Sequence, residues 1–486
     1  MKNSDALEKI ALDKRRTKIV ATLGPATGNN PQIEALLKAG VNVIRLNMSH
    51  GDEKTHRLYV ERVRRVSKRL GKHTAIIMDL CGPKMRVGKF TNGYIELIQG
   101  QNITITSRKG SCDENLIHSQ YKGLYKDVKK GNRIFLDDGR LEFTVTSIVG
   151  KDVRCKVVQA GILRDNKGMN LPDSNVTAPS LTTKDKNDAL LAIELGADFL
   201  ALSFVRHKKD VVALSNFLKK HDANIPVISK IEKPEAIKNI EEIIKHSYGI
   251  MIARGDLGIE LPAEQVPLIQ RDLIKLARKH NCPVIVATQM LESMVNNSRP
   301  TRAEVGDVAN AALLSADAVM LSEETAAGKY PIESVQNMDR VLREIERYQW
   351  KQGGFIKHET EIRSSGILSF RQAISHAILT LADDLNLQAI IIPTRTGTTA
   401  RVIAADRPSA PTIGVCTRPE ICRRMNLHWG IISIQVRKGD IHNWKKLCAT
   451  ISKKSPLVLP GHTVLLASGF NSNPSQSAPV LKIMHL

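Results

Sequence analysis

Short runs of aliphatic and β-branched residues recur along the chain, each followed by a stretch whose apolar positions fall at helical spacing. The strand candidates are "TKIVATLGP" from Thr17, "VNVIRLNMS" from Val41, "HTAIIMDL" from His73, "FLALSFV" from Phe199, "PVISKIE" from Pro226, "GIMIARGDL" from Gly249, "PVIVATQM" from Pro283 and "AVMLSEET" from Ala318. Continuous apolar runs of this length suit strands covered on both faces, as in parallel sheets. Amphipathic stretches such as "PEAIKNIEEIIKHS" (from Pro234) and "PLIQRDLIKLARKH" (from Pro267) lie between them. Eight such βα units predict an α/β chain closed as a TIM (β/α)8 barrel.

Between Pro83 and Ala178 the texture changes to period-two alternation broken by Gly and Asp-Gly turns, as in "GYIELIQGQNITITS" and "NRIFLDDGRLEFTVTSIVGKDVRCKVVQAG". That pattern predicts a small antiparallel β-barrel inserted after the third strand, hinged at two prolines and able to close as a lid. After the predicted loop "WKQGGFIKHETEIRSSG", strands at "AIIIPT", "TIGVC", "IISIQV" and "TVLLAS" alternate with helices, as in an open α/β sheet. The expected division is residues 1–83 and 179–350 for the barrel, 84–178 for the lid, and 351–486 for a C-terminal α/β domain of effector binding and oligomerisation.

Composition narrows the partners. The chain has 486 residues, 42% of them hydrophobic and only 4% aromatic, so the cores must be mainly aliphatic. No apolar stretch approaches the roughly 18–20 residues that span a bilayer, and the first twenty residues lack the apolar region of a signal peptide. The seven cysteines are scattered, with no C-x-x-C pair, which suits reduced thiols in a cytoplasmic protein. A net charge of +22 favours anionic partners such as phosphorylated metabolites. The densest basic cluster, "RVRRVSKRLGKH" at residues 62–73, has the spacing of a solvated helix face, so neither nucleic acid nor membrane is expected as a partner.

In a TIM barrel the C-terminal strand ends carry the chemistry. Those ends bring together Arg45, Asp79, Ser203, Arg206, Lys230, Glu232, Arg254, Asp256 and Thr288. Lys230 and Glu232 are two apart and point to the same side of one strand. Glu232 and Asp256, on neighbouring strands, could share one hard divalent ion, as carboxylates hold Mg²⁺ in phosphoryl-transfer sites. The plainer alternative is two salt bridges, Lys230 to Glu232 and Arg254 to Asp256. Cys81, beside the site, is read as a packing thiol.

Seven segments in order, "RRTKIVATLGPAT", "VIRLNMSHG", "ISKIEK", "MIARGDLGIELP", "ATQMLESM", "PTRAEVGDVANA" and "ETAAGKYP", resemble the motifs of the pyruvate kinase family. The resemblance implies transfer of the phosphoryl group of phosphoenolpyruvate to ADP in glycolysis, by an allosteric cytoplasmic homotetramer. It implies that Glu232 and Asp256 hold Mg²⁺ or Mn²⁺, and that Gly255, Asp256 and Thr288 bind the substrate carboxylate. By the same resemblance Lys230 and Arg45 stabilise the moving phosphoryl group, with Arg86 in reach of phosphate and Thr288 on the proton path. ADP contacts fall on Pro25, His50, Arg45 and Lys167, and a monovalent-cation site on Asn47, Ser49, Asp79 and the Leu80 carbonyl.

Relatives that need K⁺ typically carry Glu where this chain has Lys84 in "LCGPK". A lysine reverses the sign and could pair with Asp79. At ~4 Å and an effective dielectric near 20 that pair interacts by roughly 4 kcal/mol before desolvation, so K⁺ is expected not to be required. "PTRTGTT" offers Thr394, Thr396, Gly397, Thr398 and Thr399 to an effector phosphate at a helix start; the alternative is an ordinary helix cap. Three departures from the family pattern are Glu323, where a small residue is usual, Asp173, where Gly is common, and the C-terminal "SGFNSNPSQSAPVLKIMHL", which lacks the Gly-rich ending of many relatives. Two rivals remain at this point: another Mg²⁺-dependent barrel enzyme acting on phosphoenolpyruvate or pyruvate, such as a lyase, and a basic nucleic-acid-binding relative.

Overall fold

The computed structural model describes residues 15–108, 110, 112–352, 354–355, 370–441, 443–455, 457–470 and 477–486. All eight expected barrel strands form: β1 (Lys18–Thr22), β2 (Val43–Asn47), β3 (Ala75–Asp79), β4 (Phe199–Leu202), β5 (Val227–Ile231), β6 (Gly249–Ala253), β7 (Val284–Ala287) and β8 (Ala318–Leu321). They pair in parallel in the closed order β1-β8-β7-β6-β5-β4-β3-β2. Alternate residues face opposite sides of a strand, so one parity fills the barrel and the other meets the helices. Val20, Val43, Ala75, Ile77, Phe199, Ala201, Ile228, Met251, Ile285 and Ala318 make the inner core. Their neighbours Ile19, Ile44, Ile76, Leu200, Ile250 and Val319 pack against the helical ring.

The basic stretch near residue 62 does lie on an amphipathic helix, Glu53–Arg69, which buries Val60, Val63 and Val66. Its charges pair along the helix, Arg57 with Glu53 and Arg65 with Glu61. The stretch from Pro234 forms two helices, Pro234–Lys238 and Ile240–His246, rather than one. Asn239 at the break donates its side-chain amide to the Arg206 and Glu235 carbonyls, a local bond that competes with a continuous helix.

The insertion wraps one apolar core with two sheets. Tyr94–Leu97 pairs with Gly161–Arg164, and a six-stranded sheet runs Met169–Asn170, Arg133–Leu136, Leu141–Val149, Asp152–Gln159, Asn102–Thr106, Leu116–His118. All pairs are antiparallel except Asn102–Thr106 with Leu116–His118. Single bridges at Arg86, Val87 and Phe90, and not a continuous ladder, bring the remaining edges together.

The C-terminal sheet holds the four expected strands, β9 (Ala389–Pro393), β10 (Thr412–Cys416), β11 (Ile431–Gln435) and β12 (Thr463–Ser468), plus an antiparallel edge strand β13 (Val480–His485), in the order β11-β10-β9-β12-β13. Most of the predicted loop after residue 350 lies outside the described residues. This unit docks beneath the barrel. Leu427 enters the barrel's inner core from below, and Lys18, one parity step under Val20, donates to the Ile431 carbonyl at 2.7 Å.

Candidate active site at the barrel mouth

The parity that fills the barrel also sets its top layer. Two residues above Val20, Val43, Ile77, Ala201 and Ile228 stand Thr22, Arg45, Asp79, Ser203 and Lys230. Asp79 is the anchor. Its Oδ2 accepts from the Arg45 guanidinium at 2.6 and 2.7 Å, and its Oδ1 lies 3.5 Å from the Lys230 ammonium with no hydrogen-bond partner. Burial pushes this carboxyl up, but Lys230 and Arg45 outweigh it and hold it below the ordinary aspartate value. Lys230 also meets Glu232 Oε1 at 2.7 Å and donates to Ser203 Oγ at 2.8 Å. Burial weakens its hold on the proton; Asp79, Glu232 and Asp256 outweigh that and raise it above the ordinary lysine value. Glu232, itself buried, takes the Phe204 backbone N–H on Oε2 at 2.7 Å.

Asp256 departs from the expected position. β6 ends at Ala253, and Asp256 sits in the first turn of a short helix, Arg254–Glu260, above the strand end. The Arg254–Asp256 bridge does not form either. Arg254 pairs with Asp307 at 3.1 Å and donates to the carbonyls of Thr288 and Gln289 at 2.9 Å, holding two successive residues in the left-handed region, φ 68° and 53°. Sequence reading missed this bracing role of Arg254; its only signal was position beside Gly255. The Gly255 N–H donates to Thr288 Oγ1 at 2.6 Å, so the two proposed carboxylate-binding groups are neighbours.

The Asp256 carboxyl is pushed up to about 6, first by burial and then by the negative charge of Glu232. Three carboxylates, Asp79, Glu232 and Asp256, meet two cations here, Arg45 bound to Asp79 and Lys230 shared by all three, so the cluster favours one more cation. The donor set, two carboxylates and so hard oxygens, fits Mg²⁺ or Mn²⁺. Among the described residues no group of three or more His, Cys, Asp and Glu gathers as a metal site, so an ion here would rest on two carboxylates and on oxygens from outside the chain.

The chain matches the family described as "Pyruvate kinase, barrel domain" over residues 14–335 and "Pyruvate kinase, alpha/beta domain" over 372–484. It is 40% identical to "Pyruvate kinase 2" of Synechocystis sp. over 474 residues, covering 96% of this chain and 79% of that one. It is 42% identical to a Mycobacterium tuberculosis pyruvate kinase over 426 residues, 87% and 88% of the two chains. A crystal structure of a pyruvate kinase from Cryptosporidium parvum superposes with a TM-score of 0.89 at 33% identity, over 98% and 97%. The chain belongs to the pyruvate kinase family. It is accordingly a phosphotransferase, and its reaction is the pyruvate kinase reaction.

The other residues the pyruvate kinase resemblance singled out are distributed around this mouth with different degrees of engagement. Pro25 and His50 are exposed at the rim. Burial, with Lys84, Arg86 and Arg45 nearby, holds the His50 imidazolium below its ordinary value. Lys167 is turned to Asp137 of its own domain at 2.7 Å, and Arg86 donates to the Asn166 carbonyl at 2.7 Å. Asn47 accepts from the Ser49 N–H at 3.1 Å, while the Leu80 carbonyl is taken by the Ser203 hydroxyl at 2.7 Å. Lys84 does not pair with Asp79, whose salt bridges go to Arg45 and Lys230. It is exposed, and its charge is felt instead at Asp256 and His50. The hinge geometry explains this: Gly82, at φ 67°, turns the chain away, and its N–H is fixed by Asp185 at 3.0 Å.

At residues 394–399 the Gly397 N–H donates to Thr394 Oγ1 at 2.9 Å, and the Thr396 and Thr398 hydroxyls meet at 2.9 Å, ahead of the helix Thr398–Ala405. Glu323 points to solvent and disturbs nothing; Glu324 beside it is buried and receives the Ser322 and Leu291 N–H groups. Asp173 takes three bonds from Arg133, at 2.8, 2.9 and 3.1 Å, and its backbone needs no positive φ.

Proposed function

We propose that Arg45, Lys230 and Thr288 act on the reacting atoms when phosphoenolpyruvate and ADP meet at this mouth, the reaction belonging to cytoplasmic glycolysis. The observation that carries the reading is the cluster of Asp79, Glu232 and Asp256 around Lys230, with Arg45 bound to Asp79. Lys230 is a fixed, charged ammonium in a partly dehydrated layer, where it stabilises negative charge on the transferring phosphoryl group and the enolate more strongly than in water. Arg45 is held rigid by Asp79 and by Thr22 Oγ1 at 3.1 Å, and braces the same phosphoryl oxygens. Gly255 and Thr288 would receive the substrate carboxylate, where a Cβ in place of the glycine hydrogen would already crowd Thr288 Oγ1 at 3.3 Å. Thr288 is also the group from which a proton can be relayed to the enolate. Glu232 and Asp256 would hold the divalent cation, which when bound supplies positive charge against the phosphoryl and enolate oxygens.

ADP would enter past Pro25 and His50, with Lys167 freed from Asp137 as the inserted domain closes. Lys84 places a permanent cation beside Asp256 and His50, which supports activity without K⁺. The seven free cysteines favour a reducing, cytoplasmic setting, and no described helix is long and apolar enough to cross a membrane. A sugar phosphate or AMP-like effector at residues 394–399 and a homotetramer complete the reading; flat phosphoenolpyruvate curves with and without such ligands would remove the effector. The deciding assay follows pyruvate formation from phosphoenolpyruvate and ADP with Mg²⁺ and with chelator. Activity is expected only with the cation, and Glu232→Ala should lose turnover and cation dependence together. Mg²⁺-independent turnover would sink the assignment.

A further inference from the structure

The helix Arg254–Glu260 presents Gly255 and Asp256 at one end and is gripped at the other. Glu260, four residues after Asp256 and so on the same helical face, is buried and accepts the Lys233 ammonium at 2.5 Å on Oε1. Lys233 directly follows Glu232. The ion pair therefore ties together the two backbone segments that carry the proposed cation ligands. Onto the same Oε1, Asn170 of the inserted domain donates its side-chain amide at 3.0 Å.

Two more observations place the insertion on this helix. Gly139, at the tip of the Arg133–Leu136/Leu141–Val149 hairpin, lies so near Ile259 that a Cβ there would be 3.8 Å from its side chain. Its neighbour Asp138 is close enough for its charge to raise the Asp256 carboxyl. Meanwhile Glu260 Oε2 is buried with no hydrogen-bond partner. A buried carboxylate oxygen left bare is costly and calls for a reason. Here it is an acceptor held in reserve on the residue that the inserted domain touches through Asn170.

We propose that Asn170, Glu260 and Lys233 form a latch through which the inserted domain, closing on the mouth, sets the orientation of the helix that carries Gly255 and Asp256. They are positioning residues for phosphoryl transfer. The inference rests on Gly255 and Asp256 being part of the site. Closure is then not only a screen against water: it turns the helix into the register in which its first turn and Glu232 face the substrate together.

The test uses the full chain and changes Asn170, which touches the buried ion pair without belonging to it. In Asn170→Ala, kcat should fall on the order of 10²-fold, the penalty of a misplacement near 1 Å, while the KM for phosphoenolpyruvate and the thermal midpoint stay near wild type. Asn170→Asp, which sets a second carboxylate against Glu260, should fall further, and Asn170→Gln should recover part of the loss. Glu260→Gln should lower kcat in the same way and make the Asn170→Ala change nearly silent on top of it. Unchanged kcat in Asn170→Ala, or a loss matched by a lower thermal midpoint, would overturn the latch. Asp256→Asn is run beside them: if it is inactive while Asn170→Ala is normal, the latch alone falls; if it is fully active, the site reading falls and takes the latch with it.

Discussion

Asp79 is the residue on which the site's electrostatics turn. Buried and shared by Arg45 and Lys230, it fixes the two cations that the proposed function assigns to the phosphoryl group. Lys230→Met should therefore do two separable things. Turnover should drop by orders of magnitude with substrate binding largely intact, because the ammonium works mainly on the transition state. Removing it also leaves Glu232 and Asp79 without a shared counter-ion, and breaking a buried pair in this way costs about 3–5 kcal/mol. A divalent cation restores part of that charge balance, so Mg²⁺ should raise the thermal midpoint more in the variant than in the wild type. Equal Mg²⁺ responses in a melting experiment would argue that the cation does not sit beside Glu232 and Asp256. Lys84 supplies the second test at this scale. Asp79 Oδ1 is an open acceptor, and the proposed independence from K⁺ rests on the exposed Lys84, whose charge is felt at Asp256. In K⁺-free tetramethylammonium buffer the wild type should be active and Lys84→Glu should depend on added K⁺; a wild type silent until K⁺ is added would end this reading.

At the scale of elements, the period-two pattern decided the most. It marked the inserted domain, where continuous apolar runs marked the eight barrel strands, and it put Lys230 and Glu232 on one side of β5, because inward and outward positions of a strand alternate whatever the tertiary contacts. It failed at "GIMIARGDL", where no Gly-Pro or Asn-Gly break separates β6 from the helix that carries Asp256, and at β13, whose "VLKIMH" is a largely exposed edge without an alternating apolar face. Partners far apart in sequence were invisible for another reason: Arg254 bracing the Thr288 turn, Glu324 holding the Leu291 N–H, and Asn170 on Glu260 exist only once the barrel has closed. Asp173 shows the same limit in miniature. Where a glycine is common, this chain staples the return of the inserted domain to its own strand through Arg133. Both partners are partly solvated, so Asp173→Gly should cost only about 1 kcal/mol. A small drop in the thermal midpoint without a change in kcat is expected; a large loss of activity would mean that this staple governs closure.

At the scale of the whole molecule, the C-terminal unit is the floor of the barrel. Leu427 fills the lower end of the inner core, and residues near it meet Lys18 of β1 and Asp317, which precedes β8. Trp429 N–H and the Arg407 guanidinium both reach Asp317, at 3.2 and 3.1 Å. His428 is wholly enclosed, with its Nε2 2.8 Å from the Tyr248 hydroxyl. Burial is the first reason its imidazolium is disfavoured; Arg401, Lys18 and Arg407 add to it and Asp317 opposes, leaving a value of about 3 against an ordinary 6.5. The sign follows from linkage: the unfolded chain binds this proton below pH 6.5 and the folded one does not until far lower. The contribution is therefore complete above pH 6.5 and is lost progressively as pH falls towards 3. At pH 5 the loss is about 2 kcal/mol, 1.5 pH units at 1.36 kcal/mol each. His428→Gln keeps an acceptor for Tyr248 but cannot take up the proton. Urea unfolding at pH 7.5 and 5.0 should then show a smaller acid penalty in the variant than in the wild type, by about that 2 kcal/mol. An identical penalty in both proteins would mean that the barrel floor opens to water before His428 is protonated, and that the junction between the two units is looser than its buried contacts imply.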